Sequence, residues 1–326
     1  MSDKRKIYKL LPTVFTIIFL AIFLVYMMLN IDDFKALKNV SLIDLTIISL
    51  LQASAILLNG VFLVVILKAF GKKISVYESW FVSLISSIGN YFTPMRGGAA
   101  IRAVYLKKSI GLDYTKFMVT LSGNYIIVFF VNSALGLLAM ALLGFESSPE
   151  YITTALALMM VMIATLVLIF VGVPGGYRNG KEDRHKIDFL IRKIGDVQDG
   201  WNEMVKHKSL MVQMMLLTLL NFLITAILIK ASANALGYSI SILGLVLFSA
   251  LDSIALLFSF TPGSIGIKEA IYVFTAGIVA LSAPQILSIS LLIRGSMFIA
   301  LFVGWIGTRL FGSPSQLEAK LSAESK

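Results

Sequence analysis

The sequence predicts an all-α polytopic membrane protein, with about six full spans plus two broken, re-entrant hairpins in an inverted repeat. Three observations predict it. Of 326 residues, 58% are hydrophobic and 14% charged, whereas soluble domains lie near 45–50% and about 25%. The mean hydropathy is +0.88. Apolar runs of spanning length, roughly 20 residues, recur along the chain, and two further runs are interrupted by Pro and Gly.

The elements follow in order. Leu10–Leu29 sits behind the basic run Lys4, Arg5, Lys6 and Lys9 and lacks a small-residue cleavage site, so it reads as an anchor. Leu42–Leu67, Phe117–Leu143, Tyr151–Val173, Leu210–Ile229 and Ile286–Leu310 are the other full spans. Basic residues orient them. The N-terminus, Lys68 with Lys72 and Lys73, and Lys107 with Lys108 and Lys116 fall on one side, as do the connection from Gly175 to Lys208 and the tail. The acid-bearing turns at Asp32–Asp33 and Glu146–Glu150 fall on the other. Both termini are therefore expected in the cytoplasm. The net charge of +10 is assigned to topology and anionic lipid, not to nucleic acid. With no Cys and two His, metal and thiolate chemistry are not expected, nor is a cofactor.

The first interrupted run, Ser75 to Leu106, is flanked by lysines and too short for two spans, so it is expected to dip in from the cytoplasm and return. The second, Ile240 to Leu281, starts and ends outside, as a re-entrant hairpin or two short spans. About residues 186–206 carry apolar positions at helical spacing between charges, the pattern of an amphipathic interfacial helix. Residues 1–311 are taken as one integral membrane domain and 312–326 as a short polar cytoplasmic tail.

The two interruptions resemble each other. Phe92-Thr93-Pro94 opens one and Phe260-Thr261-Pro262 the other, 168 residues apart (92 to 260), and Gly98 and Gly266 keep that offset. Broken hydrophobic segments at matching places in inverted halves point to a transporter binding site. Pro94, Gly97, Gly98, Pro262, Gly263 and Gly266 are the expected helix breakers. Backbone freed there is tolerated in a membrane where protein buries it or it lines a cavity.

Charges cluster at the breaks. Arg96 and Arg102 lie in or after the first, Lys268 and Glu269 follow the second, Asp252 precedes it, and Arg294 is inside the last span. Each costs about 2.5–3.5 kcal/mol at a helix centre, so each is expected to face a partner or a cavity, with interfacial snorkelling near the cytoplasmic surface as the alternative for Arg96 and Arg102. Glu269 and Arg294 are the expected mutual pair, either as a structural lock or as part of a site. Asn124, Asn132 and Asn221 are read as interhelical hydrogen-bond partners. Two arginines beside unwound amides suit an anion, most naturally a phosphate.

At Pro94-Met95-Arg96-Gly97-Gly98-Ala99-Ala100-Ile101-Arg102, at Pro262-Gly263-Ser264-Ile265-Gly266-Ile267-Lys268-Glu269 and at Arg294, the chain resembles the flippase-like membrane domain of bacterial lysylphosphatidylglycerol synthases, over about Leu42 to Leu310. Ala99 stands where that pattern often has an acid. The resemblance implies movement of lipid between leaflets, in a prokaryotic plasma membrane, without the synthase or glycosyltransferase domain attached to some relatives. The expected ligand is an anionic or aminoacylated phospholipid or a polyprenyl-phosphate lipid, held by Arg96, Arg102, Lys268, Asp252, Glu269 and Arg294. The alternative is a non-catalytic membrane subunit that docks a lipid-modifying or glycosyl-transferring enzyme.

Overall fold

The computed structural model describes residues 31–170 and 204–311, together with Met28, Trp201 and Asn202. The expected first span, most of the expected interfacial helix and the tail lie outside the described residues. Every regular element among the described residues is helical.

A 3-10 turn over Ile31–Asn39 leads into α1, Leu42–Ala69. Ser41 caps α1 by accepting the Asp44 N–H at 3.1 Å, a contact worth about 1 kcal/mol. At 1.5 Å per residue its 28 residues reach about 42 Å, past the roughly 30 Å of a bilayer core. The full spans α4, Tyr114–Leu143; α5, Pro149–Phe170; α6, Lys208–Ala235; and α9, Ala283–Phe311, meet the same length criterion. All five coincide with expected spans. They carry many outward-facing large apolar side chains, including Met160, Ile163 and Phe170 on α5. In water such a surface marks an interaction site; in lipid it is the solvated face.

Between these spans lie shorter pieces. The first interrupted run forms α2, Val76–Phe92, a 3-10 turn at Pro94–Arg96, and α3, Gly98–Ile110. The second forms α7, Ile242–Ile254, 3-10 turns at Ala255–Phe258 and Pro262–Ser264, and α8, Ile267–Phe274. With 17, 13, 13 and 8 residues, α2, α3, α7 and α8 reach about 25, 20, 20 and 12 Å, each shorter than the roughly 30 Å core.

Packing fixes where each hairpin enters. Leu63 and Leu67 at the end of α1, Val82 on α2, Leu106 on α3 and Phe117 at the start of α4 share one core cluster. Ile48 near the start of α1, Met140 near the end of α4, Tyr151 at the start of α5, Ala233 near the end of α6 and Ile286 at the start of α9 share another, with Phe248 of α7 and Tyr272 of α8. The open end of the α2–α3 hairpin thus lies where α1 finishes. That of the α7–α8 hairpin lies at the opposite end of the bundle. Their tips meet: the Met95 N–H donates to the Phe260 carbonyl at 3.4 Å.

Of the described residues of the expected interfacial helix, Trp201 and Met204 are buried among Leu58, Ile126 and Met214, while Asn202, Val205 and Lys206 are exposed. The end of that segment is therefore anchored in the bundle.

Candidate functional site: a cationic cavity where two broken hairpins meet

Both tips have the same backbone form. After Pro94 come Met95 and Arg96, each with φ of 54°. After Pro262 come Gly263 and Ser264, with φ of 60° and 55°. Two successive left-handed residues after a proline turn each chain sharply, at about 1–2 kcal/mol for each non-glycine residue. The glycines do different work. Gly266 has φ of 90° and needs its freedom. Gly98 serves close approach: a Cβ there would lie 1.8 Å from the Ser86 carbonyl oxygen. The Ser86 hydroxyl bonds the Gly98 carbonyl at 2.8 Å, which ties α2 to the start of α3.

The second break is braced from behind. Glu269 Oε2 accepts the Gly266 N–H at 2.8 Å, capping α8. Its Oε1 accepts the Ser290 hydroxyl at 2.8 Å and Arg294 Nε at 2.7 Å, and Arg294 Nη2 stands 2.7 Å from the same oxygen. Ser290 and Arg294 are one helical turn apart on α9, so they reach one acceptor from one face. Arg294 Nη1 then donates to the Gly263 carbonyl at 2.9 Å. The expected Glu269–Arg294 pair is present, with side chains 7% and 15% exposed. It grips the unwound backbone, and all its strong bonds are internal.

Lys268 and Asp252 form a second, looser pair. Lys268 Nζ lies 2.7 Å from Asp252 Oδ1, the two side chains being 23% and 28% exposed. The Tyr272 hydroxyl donates to the same oxygen.

A cavity of about 310 Å³ lies against both tips. Arg96, Arg102 and Ala99 line it from the first hairpin, and Gly263, Ser264 and Lys268 from the second. Arg294, Glu269 and Asp252 do not line it. Arg96 Nη1 donates to the Tyr125 hydroxyl at 2.8 Å, with the guanidinium 5.7 Å from that ring's centroid. Arg102 Nε is buried without a hydrogen-bond partner. No carboxylate lines the cavity among the described residues. The charges at the breaks thus divide into a lock, Glu269 with Arg294, and a cationic wall, Arg96, Arg102 and Lys268.

Several residues at the cavity were not singled out for it from sequence. Asn59, Asn90, Asn124 and Asn221 border it, with Tyr91 and Tyr125. Asn124 and Asn221 were expected as interhelical partners; Asn132, expected with them, bonds the Val128 carbonyl of its own helix at 2.7 Å. An isolated amide in an apolar run was the available signal. α4 is apolar on all faces, so no polar stripe marks the one that meets the cavity.

No group of three or more His, Cys, Asp or Glu side chains that suits a metal occurs among the described residues. The family described as lysylphosphatidylglycerol synthase TM region matches residues 13–304. No curated protein and no solved structure matches the chain.

Proposed function

The chain belongs to the lysylphosphatidylglycerol synthase TM region family, and from that premise we propose that it is a lipid translocator whose cavity takes a phosphate-bearing headgroup. The observation that carries the reading is the cationic wall. Arg96, Arg102 and Lys268 meet at one cavity with no lining carboxylate among the described residues. Lys268 is paired with Asp252, but Arg96 and Arg102 have no carboxylate partner among the described residues, and cations so placed in an apolar domain are costly unless a ligand supplies the anion.

In this reading Arg96 and Arg102 hold the phosphate. Arginine suits that task because its planar fork donates two parallel bonds to phosphate oxygens. Tyr125 holds the Arg96 guanidinium in place. The two hairpins form an inverted repeat, and access alternates as one tip shifts against the other. Such a shift breaks the Met95–Phe260 backbone bond, 3.4 Å long, and moves Gly263 against Tyr91. Glu269 and Arg294 keep the second tip rigid during the shift. The protein sits in a prokaryotic plasma membrane with both termini cytoplasmic.

The test is a leaflet-resolved assay of fluorescent lipids in vesicles reconstituted with the full chain. Faster exchange of a phosphate-bearing lipid than in protein-free vesicles supports the proposal. Unchanged exchange of every anionic or aminoacylated lipid tried, with the protein folded, sinks it.

A further inference from the structure

We infer that the headgroup held in this cavity is anionic and carries no ammonium, so that the site discriminates against the aminoacylated lipid after which its family is named. The inference rests on the cavity proposed above as a lipid site and narrows its ligand to one charge class.

A carboxylate offsets the desolvation of an ammonium-bearing headgroup best. The described carboxylates at the breaks are Asp252 and Glu269, and neither lines the cavity. Glu269 already accepts from the Gly266 amide, Ser290 and Arg294, and stands behind the tip. Asp252 Oδ1 is taken by Lys268 and Tyr272. Lys268 lines the cavity and its ammonium neutralises Asp252 at 2.7 Å. The Tyr125 ring is occupied by Arg96, which leaves the Tyr91 ring and the unpartnered Asn90 and Asn124 amide oxygens, neutral groups that offset an ammonium less than a carboxylate does. Ala99 offers no charge.

The wall itself repels an ammonium. Arg96 and Arg102 line one cavity, where like charges repel, and Arg102 Nε is buried without a hydrogen-bond partner. An anion removes that repulsion; a second cation in the headgroup restores it. Lys268 is therefore a specificity residue, because it neutralises Asp252.

The full chain in detergent, titrated with equimolar phosphatidylglycerol and lysylphosphatidylglycerol and read by native mass spectrometry, tests this. The expected result is about tenfold or greater preference for phosphatidylglycerol, a modest ratio for one reversed charge contact near a protein surface. Lys268→Met should lose most of that preference by unmasking Asp252. Lys268→Met with Asp252→Asn should regain it, and this separates unmasking from simple damage to the fold. Equal or preferred binding of the lysyl lipid by the unmodified chain overturns the inference, whatever the vesicle assay shows. Binding of neither lipid overturns both the inference and the proposed function. Selective binding without any translocation overturns the proposed function alone and leaves the charge selection standing.

Discussion

Glu269→Gln separates the lock from the wall. The substitution keeps the shape of the side chain and its acceptor toward the Gly266 amide, but removes the charge facing Arg294. That guanidinium is 15% exposed, so it loses its counter-ion where water gives little relief. Breaking a buried pair from one side costs about 3–5 kcal/mol. The comparison is Asp252→Asn. Its partner Lys268 has 23% of its side chain exposed and already borders the cavity, so the stranded cation turns there, and a cost of about 1 kcal/mol is expected for a pair that solvent partly screens. Reversible unfolding in mixed micelles, followed by tryptophan fluorescence, measures both. Glu269→Gln should be the more destabilised by at least about 2 kcal/mol, the gap between those two ranges. Replacing both partners, Glu269→Met with Arg294→Met, should recover much of the loss, because an apolar pair needs no counter-charge. Equal destabilisation by Glu269→Gln and Asp252→Asn would refute the division into lock and wall.

Three further outcomes follow from the geometry. Arg102→Met should raise stability by up to about 3 kcal/mol, by removing an unpaired charge from the membrane interior, while cutting retention of phosphatidylglycerol on purification; the same micelle titration and native mass spectrometry read the two effects. Gly98→Ala should destabilise by at least about 3 kcal/mol, at the upper end of overpacking costs, since a backbone carbonyl cannot yield as a side chain does; loss of monodisperse protein in size-exclusion chromatography is the quick check. Met95→Gly should stabilise by up to about 1 kcal/mol, as the left-handed backbone there no longer opposes a Cβ, with no change in lipid selectivity.

The spans and breaks were legible because membrane physics writes them in composition. A run of about 20 apolar residues has few other readings, and all five expected spans that fall within the described residues appear as helices. The Phe-Thr-Pro repeat with its glycines located both tips, and the shared left-handed pair after each proline lies where the 168-residue offset puts it. The Glu269–Arg294 pairing was legible too, since neither charge could reach water alone. The division of labour among the charges was not. Lys268 and Glu269 are neighbours in sequence, yet about 100° of helical rotation sends one to the cavity and the other behind the tip. That angle is fixed by where α8 starts, which depends on the turn at Gly266 and on α9. Tyr125 and the four asparagines were hidden for a related reason: residues of α1, α2, α4 and α6 share the cavity wall only after tertiary packing.

The junction between the tips also sets a schedule for making the protein. The Met95 amide bonds the Phe260 carbonyl, which leaves the ribosome about 165 residues later. At 5–20 residues per second, the first hairpin, with its two arginines, waits about 10–30 s in the nascent chain before its counterpart is synthesised. Through that interval its polar tip must be sheltered by something other than its eventual neighbour, so the early hairpin is the stage at which insertion machinery or a membrane chaperone matters most to the yield of protein.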